Sequence, residues 1–393
     1  MLGAFGDPGH AFPMIALGRA LAARGHEVVL QTWSRWREHV EAAGMRFAAA
    51  PEYQVFPTQD RPLKPYVAAV RAAAETRPLV ADMRPDAVVA DILTLAPALA
   101  GELEGVPTAT LVPHVYPPGE AAFPPYSLGA RLPRTLVGRR LWSALERPLD
   151  GGLQRGREEL NGARARLGLE PLDRVHGGIS AQLCVVGTFP QLEYPRPWPP
   201  HVHVAGPLLW EPPYDEVELP PGDAPLVLVA PSTSQDPEHR MLRSALEGLA
   251  DASVRVLATW NRRPPPVPVD VPANARLVEW VSYSRTMPRC DLVLCHGGHG
   301  TTVRALADGC RVVVAPASGD MNENAARVDW AGVGARLPWR FVSPGTVRLA
   351  VERALADERM GERARALAAW SAEHDGAERA AAIVEEFAGA RVK

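Results

Sequence analysis

The 393-residue sequence carries almost no net charge: 42 basic against 45 acidic side chains leave −3 at neutral pH. That balance excludes a partner recognised through bulk electrostatics, so a general nucleic-acid or membrane-surface binder is not expected. Cysteine is scarce. The four present, Cys184, Cys290, Cys295 and Cys310, lie in or beside apolar runs without paired close spacing, which argues against a disulfide framework and for a reducing compartment. Long apolar runs are missing too. None approaches the roughly 18 residues of a membrane-spanning helix, and no basic residue precedes Arg19 to make a signal-peptide start. A soluble, cytoplasmic protein is expected. Lysine is reduced to Lys64 and Lys393 beside 40 arginines, a skew from which no function follows.

What is present is ordinary globular material, 47% hydrophobic and 22% charged, in a chain longer than one core usually organises. Two domains are expected. Both halves repeat a short apolar run, a turn bearing glycine or proline, and a helical stretch, the pattern of parallel sheets covered by helices. In the first half strands are expected at residues 1–5, 28–30, 45–48, 87–90 and 108–112, with a loop at 6–10 and a helix from about Pro13. In the second half they are expected at 226–230, 254–259, 277–280, 292–295 and 312–315, runs apolar enough to be buried on both faces. Proline, 40 residues and about twice its usual share, marks the joints. Eleven fall in residues 190–225, so 191–225 reads as a linker region. The division adopted is an N-terminal domain over 1–205, a proline-rich linker over 206–225, a C-terminal domain over 226–375 and a final helix within 376–393 returning to the N-terminal domain.

Ligands of open parallel sheets bind at the carboxyl ends of the strands, and three such ends carry chemistry. Gly6-Asp7-Pro8-Gly9-His10 brings an imidazole to a turn before a helix, where a side chain titrating near neutrality can serve as a general base. Asp91 ends the run PDAVVAD; it either orients His10 or caps the next helix, and spacing does not separate the two. The stretch from Cys295 through His296, Gly297, Gly298, His299, Gly300, Thr301 and Thr302 delivers a strand into a glycine-rich turn and a helix from Thr301. Free N–H groups, a helix dipole and hydroxyls suit an anion there. The turn is neither G-x-G-x-x-G nor a P-loop, so a diphosphate not linked to nicotinamide fits it, and the missing fourth ligand argues against a metal. Ser232 and Thr233 form a further hydroxyl-rich strand end, with helix capping as the alternative, and Trp280 ends a strand with a flat face suited to a base or to the core.

These residues resemble the family 1 glycosyltransferases of the bacterial natural-product type. GDPGHAFPMIALGRALAARGHEV resembles the family's opening motif, and the run from Trp280 through HGGHGTTVRALADGCRVVVAPASGDMNENAARVDWAGVG resembles its donor signature. The likeness covers nearly the whole chain and implies the GT-B fold, two Rossmann-like α/β domains with parallel sheets facing across a cleft. It implies an inverting, metal-independent transfer of a sugar from a UDP- or dTDP-linked donor to a hydroxyl of a small hydrophobic acceptor, with no cofactor, by a monomer or homodimer. By the same resemblance His10 matches the catalytic base and Asp91 its partner. Trp280 matches the residue stacking on the nucleobase and the Val281 backbone the reader of its edge. His296 matches the α-phosphate contact, Gly298, Gly300 and Thr301 positions beside the phosphates, Ser232 or Thr233 a second diphosphate contact, and Asp320 the carboxylate on the sugar hydroxyls.

Three positions depart from the pattern: Arg304 stands where many members place a glutamate on the ribose, and Met321 and Tyr283 each replace a usual glutamine. A thioether offers a sugar hydroxyl no comparable hydrogen bond, so a deoxysugar or dTDP-linked donor is expected. The acceptor is expected against Trp33, Tyr53, Phe56, His114 and Tyr116, in apolar loops bounded by proline. Two other function classes share the architecture, a non-catalytic auxiliary protein and a sugar-nucleotide epimerase.

Overall fold

In a computed structural model, which describes residues 1–51, 65–174, 176–232 and 235–389, the alternating runs resolve into two all-parallel sheets. The first half contains β1 (Leu2–Gly3), α1 (Pro8–Ala23), β2 (Val29–Thr32), α2 (Arg37–Ala42), β3 (Arg46–Ala49), α3 (Pro65–Met83), β4 (Val88–Asp91), α4 (Leu95–Leu103), β5 (Thr108–Val112), α5 (Leu136–Arg166), β6 (Leu183–Val186) and β7 (Val202–Val204). Its strands lie in the order β3-β2-β1-β4-β5-β6-β7. The second half contains β8 (Leu226–Ala230), α6 (Arg240–Gly248), β9 (Arg255–Thr259), β10 (Ala275–Val278), α7 (Tyr283–Thr286), β11 (Leu292–Cys295), α8 (His299–Ala307), β12 (Arg311–Val314), α9 (Asp320–Ala331), β13 (Gly334–Arg336), α10 (Pro344–Ala356), α11 (Glu358–Glu373) and α12 (Gly376–Gly389). Its order, β10-β9-β8-β11-β12-β13, repeats that of the first sheet's leading six strands. Both are doubly wound, and each has its switch point where β1 meets β4 or β8 meets β11.

Central strands β2, β4, β6, β8 and β11 are buried along their whole length, as parallel strands covered on both faces must be. One core packs Met14, Ile15 and Leu17 of α1 on Leu30, Val89 and Leu111. Ala377, Ala380, Ala381 and Val384 of α12 join that same core, so the last helix lies on the first sheet's α1. Arg24 and His26 hold its outer face through Glu385, with Arg24 Nε donating at 3.0 Å and His26 Nε2 lying 3.1 Å from the carboxylate. Among the described residues no helix is long and apolar enough to cross a membrane.

Several sequence expectations need correction. Helix α1 starts at Pro8, not Pro13, because Pro8 takes the first helical position that proline prefers; Pro13 is accommodated inside the helix at the loss of one backbone bond. His10 therefore sits in the first turn of α1, not in a loop. Likewise α8 begins at His299, two residues before Thr301, and β10 ends at Val278, leaving Trp280 on the loop into α7. Within the stretch read as linker, Val202–Val204 adds β7 beside β6; an edge strand tolerates the prolines around it. Residues 206–225 carry no helix or strand.

Candidate active site

The two switch points face each other across a cavity of about 370 Å³ lined from both halves. From the first, β1 leads into α1 and presents His10, while β4 ends at Asp91. His10 Nδ1 lies 2.7 Å from Asp91 Oδ1, and the other carboxylate oxygen accepts from the Phe5 backbone N–H at 3.2 Å and the Thr94 hydroxyl at 3.5 Å. Helix α4 takes Thr94 as its N-cap, so Asp91 orients the histidine and does not cap the helix. An acceptor on Nδ1 fixes the proton there and leaves Nε2 with its lone pair. Burial disfavours the imidazolium, yet the charge of Asp91 and its hydrogen bond outweigh that and raise the His10 pKa above its ordinary value.

The second half contributes the end of β11 and the start of α8. Gly297 has φ +89°, a left-handed conformation in which a Cβ would also press on the Val314 side chain. Gly298 is the N-cap of α8; the first-turn N–H groups of His299, Gly300 and Thr301 have no intrahelical acceptor, and with the positive end of the helix dipole they suit an anion. His296 lines the cavity, its Nδ1 3.2 Å from the Ala230 carbonyl that accepts from it; burial lowers its pKa. His299 also lines the cavity; its Nδ1 meets Asn324 Oδ1 at 3.1 Å, and Asn324 in turn donates to the Gly297 carbonyl at 2.8 Å. Burial pushes the His299 pKa down to about 4, so it acts as a neutral brace for the loop.

Trp280, Tyr283, Gly298, Gly300, Thr301, Arg304 and Asp320 all line the cavity. Trp280 and Tyr283 lie nearly parallel, 19° apart with centroids at 6.5 Å, and the Arg262 guanidinium lies 4.7 Å from the Trp280 centroid. Asp320 opens α9 at an exposed position and acts on His10 through its charge. Met321 follows it with its backbone beside Gly297. The Val281 side chain is buried in the second core, and Val281 is not among the cavity's described lining residues. Ser232 is buried and accepts from the Gln235 N–H at 3.0 Å; it is not among the cavity's described lining residues. Thr233 lies outside the described residues.

Of the expected acceptor residues, His114 lines the same cavity, its Nδ1 2.8 Å from the Val115 carbonyl and its ring centroid 6.4 Å from that of His10. Burial lowers its pKa, and the nearby charge of His10 adds to that. Trp33 lines a second, apolar cavity of about 210 Å³ with Phe5, Ala68, Ala72, Ile92 and Leu93, and packs edge-on against Phe5 at 4.9 Å. Tyr116 faces elsewhere, packed with Ile179, Cys184 and Val202. Its ring fills the space beside β6, so it is a core residue and not a wall of either cavity. Tyr53 and Phe56 lie outside the described residues. Sequence reading missed Glu211, a cavity-lining residue of the segment without secondary structure. Its carboxylate accepts from Ser282 Oγ at 2.5 Å, from the N–H groups of Tyr283 and Ser284 at 3.2 and 3.0 Å and from Ser284 Oγ at 2.6 Å. No motif announces a lone glutamate between prolines.

This arrangement of two Rossmann-like domains, with a histidine–aspartate pair facing a glycine-rich helix start, is that of a nucleotide-sugar-dependent glycosyltransferase of GT-B fold. The structure is similar over its whole length to CalG4, the calicheamicin glycosyltransferase (TM-score 0.76, 22% identity, 98% of that chain). It is also similar to the glycosyltransferase VinC in complex with dTDP (TM-score 0.72, 17% identity, 99% of each chain). In sequence, residues 243–386 match the family described as "Erythromycin biosynthesis protein CIII-like, C-terminal domain". The chain is 31% identical to O-mycaminosyltylonolide 6-deoxyallosyltransferase of Streptomyces fradiae, over 98% of this chain and 96% of that one. It is 30% identical to 4'-demethylrebeccamycin synthase of Lentzea aerocolonigenes, over 89% and 90%. The protein belongs to the glycosyltransferases of natural-product type, as the resemblance of its motifs implied.

Proposed function

We propose that the protein moves a deoxysugar from a dTDP- or UDP-linked donor to a hydroxyl of a flat hydrophobic acceptor, with inversion and without a metal. The observation that carries this reading is the His10–Asp91 pair, 2.7 Å apart at the edge of the cleft. The Nε2 lone pair of His10 takes the proton of the acceptor hydroxyl as that oxygen attacks the anomeric carbon opposite the departing diphosphate. Asp91 stabilises the imidazolium that forms. A single base on the acceptor side and a leaving group on the other correspond to one displacement, hence inversion.

Charge growing on the leaving diphosphate meets the α8 start and His296. Among the described residues no three His, Cys, Asp or Glu side chains are grouped to hold a metal ion, and the reading assigns the phosphates to these N–H groups and imidazole. Asp320 binds sugar hydroxyls, and Met321 beside it favours a sugar with fewer of them. One full-length relative is named a 6-deoxyallosyltransferase and one structural neighbour holds dTDP, which supports the same choice. The acceptor's apolar body occupies the cavity of Phe5, Trp33, Ile92 and Leu93, next to His10 through Phe5, whose ring centroid lies 6.2 Å from the imidazole.

A mass-spectrometric screen of dTDP- and UDP-sugars against planar aromatic and macrocyclic acceptors tests the reading. Transfer is expected with dTDP-deoxysugars, and His10→Ala is expected to abolish it while nucleotide still binds. Exclusive use of UDP-glucose would overturn the donor assignment, and full turnover by His10→Ala the role of the base.

A further inference from the structure

The transfer just described requires the walls of the cleft to keep a fixed separation, and His114 and Asp320 line it from different domains. A buried ionic cluster away from both cavities joins them. At its centre Arg327 of α9, side chain 2% exposed, donates through Nε to Glu323 at 2.7 Å and through Nη1 to Glu193 at 3.2 Å. Nη1 also donates to the Leu192 carbonyl at 3.2 Å, and the guanidinium lies 3.5 Å from the Tyr194 ring centroid. Each carboxylate then holds one end of the loop between β5 and α5. Glu193 accepts from the Tyr116 N–H at 2.6 Å, and Glu323 from the Ser127 N–H at 3.2 Å. Between those two anchors runs the segment containing Tyr126, whose hydroxyl lies 3.2 Å from His114 Nδ1. Arg196, 1% exposed and 4.0 Å from Glu193, brings the cluster to zero net charge.

Buried ion pairs contribute little net stability, because the desolvation of each charge offsets their attraction, and in some proteins they serve to fix one geometry. Here one guanidinium sets the position of two carboxylates, and the carboxylates set the two ends of the loop relative to the helix that begins at Asp320. We propose that Glu193, Arg327 and Glu323 are positioning residues that hold the loop carrying His114 in register with Asp320. This rests on the transferase reading of the cleft. None of the three touches the cavity, so they act through the groups they place.

The test uses the full-length enzyme with an accepted donor and acceptor, comparing wild type with Arg327→Met and with the near-isosteric Glu193→Gln and Glu323→Gln. Loss of register is expected to lower kcat for transfer by about tenfold or more. It is also expected to raise the share of donor lost to water, with the dissociation constant for dTDP unchanged within about twofold. Hydrogen exchange at the Tyr116 and Ser127 amides is expected to quicken. A merely structural role would reduce the amount of folded enzyme and leave the ratio of transfer to hydrolysis as it is in wild type. Glutamine variants that fold and keep wild-type kcat and that ratio would overturn the proposal, even if Arg327→Met does not fold. A wild-type enzyme without transfer would instead overturn the proposed function, and wild-type amide exchange in the glutamine variants would then overturn the clamp on its own.

Discussion

His10 Nδ1 and Asp91 Oδ1 stand 2.7 Å apart although 81 residues separate them in the chain. The pair exists because β1 and β4 are neighbours, with Leu2 opposite Val89 and Gly3 opposite Ala90, so that the turn after one strand reaches the last residue of the other. Asp91 is fully buried and keeps the His10 pKa raised against the opposing effect of burial. Protonated His10 cannot act as a base. The acid limb of kcat/KM is therefore expected above about pH 6.5, the ordinary histidine value, with activity lost as pH falls through it. Asp91→Asn removes the charge that raises the pKa, so its limb is expected at lower pH and its kcat reduced at least tenfold. A limb that does not move in the variant's pH profile would exclude this coupling.

His296 donates from Nδ1 to the Ala230 carbonyl, so only the imidazolium can also donate from Nε2 to a phosphate. Burial lowers its pKa, and the charge of a diphosphate opposes that shift. Binding of dTDP above that pKa is expected to take up a proton, with affinity rising as pH falls. Calorimetry in buffers of different ionisation enthalpy measures the proton directly, and uptake is expected to vanish in His296→Asn.

Arg262 rests against Trp280 and Tyr214, at 4.7 and 5.2 Å from their centroids. Stacking of a base on such an aromatic contributes about 1–3 kcal/mol. Trp280→Ala is expected to weaken dTDP binding about tenfold or more, as read by fluorescence-independent titration such as calorimetry, with kcat at saturating donor little changed.

His299 is buried, and burial pushes its pKa down to about 4 from the ordinary histidine value of 6.5. The unfolded chain therefore takes up the proton first, and stability falls as pH drops from about 6.5 towards 4, by up to about 3 kcal/mol. His299→Gln is expected to flatten that part of the acid-unfolding curve. Parallel wild-type and mutant curves between these pH values would exclude His299 as the cause.

Gly6 lies against Trp33, and a Cβ there would overlap the indole. Gly6→Ala is expected to push Trp33 into the apolar cavity and raise KM for bulky acceptors while leaving dTDP affinity unchanged. Steady-state kinetics with a large and a small acceptor distinguishes this from a general loss of folding.

Much of this was legible in the chain because its cause is local. Runs such as 108–112, 226–230 and 292–295 are apolar and bounded by turns, and β5, β8 and β11 have those bounds. The start of α1 is not legible locally, because Pro8 and Pro13 both suit a first helical position and Pro8 takes it. Trp280 lies past the end of β10 at Val278, although a single polar residue separates it from the apolar run. The sequence by itself determined parallel sheets covered by helices in both halves, the glycine-rich turn after β11 and the imidazole and carboxylate near strand ends, since periodicity, backbone freedom and titration are properties of short segments. The tertiary structure alone decided that Asp91 faces His10 and does not cap α4, that Tyr116 belongs to the core, that Glu211 braces α7, and that Glu193, Arg327 and Glu323 join the domains. Those relations depend on strand order and domain apposition, which bring together residues 71 to 135 positions apart for which no local pattern encodes a partner.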